Sequence, residues 1–344
     1  MVSRRITPRL RRTLLAGLVA AAVAAPLSGM AGPGSVPAPE PVAQAPLAVG
    51  GVGALDGRYA ASRNGILAAE RMADAYGDKQ RAAALQAMAD PSRHFLSFDG
   101  RDGGRTVEVF GDLAHADRIA VLVPGSDTNL DSYERLRAGA AALEQQAGGD
   151  AAHTAVIAWL GYATPATVSP EVLTAGLADQ AAPQLDKFVG ELQQLKPGAR
   201  TSLVCHSYGS VVCARAASGL DVADLVLYGS PGVGSDAGNV TALHTKATVW
   251  AGRGGKDWVA NVPHLRLPIL FTTVGLGADP VAPGFGARIF QAGDADHSGY
   301  LKPGSLALRS IAAIVTGAAD ASSTSHSTSH STALTTNGQE AQHA

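Results

Sequence analysis

The sequence predicts an α/β fold: a mostly parallel sheet, opened by an antiparallel hairpin and covered by helices on both faces. Two observations carry this. Continuous apolar runs such as Ile119-Ala120-Val121-Leu122-Val123 and Ala155-Val156-Ile157-Ala158-Trp159-Leu160 recur along the chain, as expected of strands buried on both faces of a parallel sheet. Stretches of helical length, rich in Ala, Leu, Glu and Gln, alternate with them.

Taken in order, residues 57–88 read as one or two helices. Phe95-Leu96-Ser97-Phe98 and Thr106-Val107-Glu108-Val109-Phe110 read as a hairpin, joined by the turn residues Asp99-Gly100 and Asp102-Gly103-Gly104. The strand at 119–123 is followed by a helix over 131–146, and the strand at 155–160 by a helix over 172–195 interrupted near Pro183. Ser202-Leu203-Val204-Cys205 is a strand leading into a helix over 209–217. Further strands are expected at 225–228, 247–250 and 288–291, with a closing helix over 305–315. In such sheets ligands sit at the carboxyl ends of the strands. The segments able to cap that edge, 161–170 and 230–240, are short, so no large lid is predicted.

The ends read differently from this body. Residues 1–31 carry five arginines and no acid, then an apolar stretch, Leu14 to Ala25, of about 12 residues. Small residues at Gly29-Met30-Ala31 follow. This is the pattern of an export signal; the apolar stretch is shorter than the roughly 20 residues that span a bilayer. Residues 32–54, with five prolines, read as a flexible spacer. Residues 55–318 form the globular domain, and the Ser/Thr/His-rich tail 319–344 is expected to be disordered.

Without the first 31 residues the net charge falls from −2 to −7. A mildly acidic body with no Lys/Arg cluster argues against nucleic acid as a partner. Aromatic residues at 5% leave little for base- or sugar-stacking surfaces. No metal-ligand spacing is present, and no cofactor is expected. The predicted protein is an exported, secreted or envelope-associated monomer without a membrane span in its mature chain.

Chemistry concentrates around Cys205-His206-Ser207-Tyr208-Gly209, at the boundary between an apolar strand and a small-residue helix. A serine there sits on a sharp turn at the sheet edge, and Gly209 permits close strand–helix approach. Cys205 stands where glycine is usual. Cys213, four residues after Gly209, faces the same way, so the two cysteines either pair or pack as buried thiols. A serine hydroxyl needs a base to remove its proton and an acid to orient that base. His297, after the strand at 288–291, fits the base; His264 is the alternative. Asp257, in the glycine-rich loop after 247–250, fits the acid, with Asp236 and Asp279 as alternatives. Asp294 and Asp296 shape the histidine loop. Backbone N–H groups of Tyr208 and Ser126, with Gly125 close behind, are the candidates for stabilising negative charge on a tetrahedral intermediate.

Val123-Pro124-Gly125-Ser126, His206-Ser207-Tyr208-Gly209-Ser210, Tyr228-Gly229-Ser230-Pro231-Gly232, Gly277-Ala278-Asp279-Pro280 and His297-Ser298-Gly299-Tyr300-Leu301 occur in that order. Together they resemble a group of actinobacterial α/β-hydrolases. The resemblance implies an α/β-hydrolase fold and a serine hydrolase with a Ser207–Asp257–His297 triad, acting on a small-molecule acyl ester; amide cleavage and acyl transfer use the same triad. Two other readings compete. Gly232-Val233-Gly234-Ser235-Asp236-Ala237 matches a dinucleotide-binding motif. A catalytically inactive hydrolase fold could serve as a binding module of the cell envelope.

Overall fold

The structure is a computed structural model that describes residues 36–234, 237–262, 267–269 and 272–319. The segment 1–31 read as an export signal, the tail beyond 319, and the alternatives Asp236 and His264 lie outside the described residues.

An eight-stranded sheet is the framework, in the order β1-β2-β4-β3-β5-β6-β7-β10. Its strands are β1 (His94–Asp99), β2 (Arg105–Phe110), β3 (Arg118–Val123), β4 (Thr154–Leu160), β5 (Arg200–His206), β6 (Asp224–Tyr228), β7 (Thr248–Gly252) and β10 (Arg288–Ile289). β1 runs antiparallel to β2, and β2 antiparallel to β4. Every other pairing in this sheet is parallel. Between β7 and β10 the chain forms a small antiparallel pair, β8 (Leu267–Ile269) and β9 (Thr272–Val274), which the sequence reading does not contain.

Strand periodicity sorts the core into two layers. On β3 and β5, Ile119, Val121, Val123, Leu203 and Cys205 face one side. There they meet α4 (Gly176–Leu195) and α5 (Tyr208–Ala216). Their neighbours Ala120, Leu122 and Val204 face the other side, against α1 (Leu55–Tyr76), α2 (Lys79–Met88), α3 (Glu134–Gln146) and α6 (Leu306–Val315). Side chains alternate across a strand, so a run apolar at every position is what a sheet covered on both faces requires.

Two expectations need correction. The helix α4 is unbroken through Pro183. The proline ring is exposed, while Ala178, Ala181, Ala182 and Leu185 around it are buried and hold the helix on the sheet. The break falls earlier, between the short 3-10 turn Pro170–Leu173 and α4. The proline-rich stretch read as a flexible spacer packs onto the domain from residue 36 onward. Leu47 is buried, its N–H donates to Glu191 at 2.8 Å, and Gln44 bonds Ser62 and Arg58. Composition reports the prolines but not the few apolar and amide groups that tie such a segment down.

Candidate active site

The carboxyl ends of β3, β5, β6 and β7 converge at one edge of the sheet, and the loops leaving them bring the predicted residues together. At the end of β5, Ser207 adopts φ 51° and ψ −124°. A non-glycine residue held there stores about 1–3 kcal/mol of strain, and the surroundings hold it. The Ser207 N–H donates to Tyr228 O at 3.0 Å. Behind it the Ser210 hydroxyl donates to Ser207 O and lies 2.7 Å from Ser230 Oγ, both serines being buried. Gly209 has no alternative: a Cβ there would lie 2.5 Å from the carbonyl oxygens of Val123 and Pro124.

Cys205 and Cys213 form a disulfide, with Cα atoms 6.5 Å apart, joining β5 to α5 directly beneath the serine. The larger residue at the usual glycine position is accommodated because its sulfur is bonded to the helix it faces.

His297 and Asp257 arrive from separate loops. His297 Nε2 lies 2.9 Å from Ser207 Oγ, and its Nδ1 lies 2.9 Å from Asp257 Oδ1. With the carboxylate accepting from Nδ1–H, the Nε2 lone pair faces the serine hydroxyl. Asp257 follows β7 and caps the 3-10 turn Trp258–Asn261, accepting the Val259 N–H at 2.9 Å. Its other oxygen, Oδ2, accepts the Tyr300 hydroxyl at 2.6 Å. Burial pushes the Asp257 carboxyl up, but the hydrogen bonds from His297, Tyr300 and Val259 outweigh it and hold the group below the usual carboxylate range.

Of the alternative acids, Asp279 is occupied elsewhere: both its oxygens bond Arg253, at 2.9 and 2.6 Å. Asp296 accepts the Ser298 N–H and pairs with Lys302, and Asp294 pairs with Lys256.

The loop after β3 passes over the serine. A Cβ on Gly125 would sit 2.6 Å from Ser207 Cβ, so the backbone of this loop lies against the nucleophile. The Tyr162 hydroxyl donates to Pro124 O at 2.6 Å, and the Asp127 N–H donates to Pro165 O at 3.0 Å. Among the described residues no acceptor is found for the Ser126 N–H. Tyr208 is the first residue of α5, so its N–H has no acceptor within the helix.

Three neighbours of the site received no role from the sequence. Tyr300 donates to Asp257 and accepts the Gly254 N–H at 2.9 Å. His206 is wedged beneath the site, its Nε2–H donating to the carbonyl of His297 at 2.7 Å and its ring 4.8 Å from that of His297. Burial, and then the charge of His297, push the His206 pKa down to about 3, so it stays neutral. Trp258 lies with its ring 4.7 Å from that of His297. Tyr300 and His206 stand within the motifs quoted above, but only the fold shows what they touch.

The segment Gly232–Ala237 leads into the four-residue 3-10 turn Val240–Leu243. It lacks the following α-helix whose N-terminus would receive a pyrophosphate. Among the described residues, no group of three or more His, Cys, Asp or Glu side chains is placed to hold a metal ion. Nor is any helix of the described residues long and apolar enough to cross a membrane.

Comparison with known proteins follows the same line. A family model described as alpha/beta hydrolase matches residues 99–267. An uncharacterized protein of Mycobacterium tuberculosis is 31% identical over 256 residues, covering 66% of this chain and 39% of the relative. One of Mycobacterium bovis is 32% identical over 177 residues, covering 45% and 65%. The chain thus spans about two fifths of the length of the first of these relatives. Among solved structures, a serine hydrolase without lid from Xanthomonas campestris is 16% identical with a TM-score of 0.41, covering 65% of this chain and 93% of that one. A dienelactone hydrolase from Anabaena variabilis is 18% identical with a TM-score of 0.41, covering 62% and 90%. Family match and strand order agree: residues 99–267 match the alpha/beta-hydrolase family, and the order and directions of the strands are those of that fold.

Proposed function

We propose that this chain is a serine hydrolase that cleaves carboxylic esters through an acyl-enzyme on Ser207. The observation that carries the reading is the unbroken chain of contacts Ser207 Oγ–His297 Nε2 and His297 Nδ1–Asp257 Oδ1, each 2.9 Å, at the open edge of the sheet. His297 takes the hydroxyl proton as Oγ attacks the ester carbonyl carbon, and Asp257 stabilises the imidazolium that forms. The oxyanion is received by the backbone N–H groups of Ser126 and Tyr208, which a pre-folded loop and a helix start hold in place before substrate arrives. His297 then returns the proton to the departing alcohol, and water releases the acid by the same proton path.

The disulfide suits an oxidising compartment, which supports export as the setting. The substrate is a small or flexible acyl ester, since the described loops over the edge build no cap domain.

The test is labelling with a fluorophosphonate together with hydrolysis of short-chain p-nitrophenyl esters. The native chain labels at Ser207 and turns esters over. Ser207→Ala loses both, with kcat falling on the order of 10⁴–10⁶-fold. A native chain that neither labels nor hydrolyses would instead be a binding module on a hydrolase fold.

A further inference from the structure

Trp258 is half-exposed, at 51%, beside the catalytic-site candidate His297. It follows Asp257 directly, and its ring lies 4.7 Å from the His297 ring at an angle of 49°. Indole surface left in water is unfavourable, and turnover restricts what covers it. His297 Nε2 must hand its proton to the departing alkoxide oxygen, so that oxygen comes within about 2.6–3.2 Å of Nε2. The first carbons of the alcohol then lie beside the imidazole, within reach of the Trp258 ring 4.7 Å from it. The carbonyl oxygen is drawn elsewhere, to the N–H groups of Ser126 and Tyr208. The tetrahedral centre directs the leaving oxygen away from it.

Building on the ester-hydrolase reading, we propose that Trp258 is the platform for the alcohol half of the substrate. The site then selects esters whose alcohol is apolar and broad enough to cover an indole, such as an aryl or branched alkyl group. Attack by Ser207 forms the Oγ–C bond, breaks the C–O bond to the alcohol, and sends the Oγ proton through Nε2 to the alcohol oxygen. In the second step water attacks the acyl-enzyme after the alcohol has gone. The Trp258 contact therefore acts in acylation and not in deacylation.

Ethyl and benzyl butyrate, which share one acyl-enzyme, separate the two steps. Trp258→Ala in the full chain lowers kcat/KM for benzyl butyrate about tenfold more than for ethyl butyrate. Decay of the butyryl-enzyme in single turnover stays unchanged, and Trp258→Phe retains most of the preference. Equal losses on both esters, slower deacylation, or no effect at all would each overturn the assignment; the first two are what a mere buttress of His297 produces. Ser207 labelling and hydrolysis by the native chain are read first. An inactive native chain overturns the hydrolase reading and this inference with it, whereas an active one with a Trp258→Ala variant blind to the alcohol overturns the inference alone.

Discussion

Replacing Tyr300 by phenylalanine removes one oxygen atom from beneath the acid loop and leaves the ring in place. That oxygen donates to Asp257 Oδ2 at 2.6 Å and accepts the Gly254 N–H at 2.9 Å, with Tyr300 and Asp257 both buried. A hydrogen bond to a charged acceptor contributes about 1.5–3 kcal/mol, and a buried N–H left unpaired costs about 1 kcal/mol more. Tyr300→Phe should therefore lose about 2.5–4 kcal/mol of stability at pH 7. The dependence on pH identifies the partner. The depressed Asp257 pKa contributes stability that is present above about pH 4, its unfolded value, and is lost as pH falls through the folded value. Without the phenol the folded pKa rises, so the gap between native chain and variant is widest at neutral pH and narrows in acid. A less firmly held carboxylate also misaligns the imidazole, and kcat should fall about 10–100-fold with KM little changed. Denaturant unfolding at pH 7 and in acid, beside steady-state ester hydrolysis, measures both effects. A variant of native stability and native kcat would refute the argument.

Other substitutions read other parts of the site. His206 has a pKa lowered to about 3, below its unfolded value of about 6.5, so between these values the unfolded state binds the extra proton. Its contribution makes stability fall by up to about 1.4 kcal/mol per unit as pH drops through that range; His206→Gln, which keeps an N–H for the His297 carbonyl, should remove that slope in acid titrations followed by denaturant unfolding. Changing both Cys205 and Cys213 to alanine releases a cross-link between residues eight apart; the variant should lose about 2–3 kcal/mol, visible as a melting temperature lower by roughly 5–10 °C. Gly209→Ala places a Cβ 2.5 Å from two backbone carbonyls that cannot yield as a side chain could. It should destabilise by about 1–3 kcal/mol and slow Ser207 labelling, because the carbonyls it strikes belong to the end of β3 and the loop over the serine.

The central strands were legible because burial on both faces writes itself as uninterrupted apolar residues, as in Ile119–Val123. That Ser207, Asp257 and His297 come within hydrogen-bonding distance of one another was legible because each follows a strand that ends at the same edge of the sheet. What escaped were contacts decided by tertiary approach. The His206 bond to His297 O joins residues 91 apart, and the Tyr300 bond to Asp257 joins residues 43 apart. No periodicity encodes either. The β8–β9 pair escaped because three-residue strands, one containing Pro268, carry too little pattern to register. Proline 183 misled for the opposite reason: its strong local signal was overridden by the buried face of the helix around it.

The Cys205–Cys213 bridge also bears on how the finished protein is made. Both cysteines of the chain are in it, and they lie in one strand–helix unit only eight residues apart. No other pairing within the chain exists, so oxidation has a single intramolecular product and nothing to reshuffle. A reduced chain is one oxidation event from the bridged form. The two differ at the corner that carries Ser207, so the thiol content of a batch should track its active fraction.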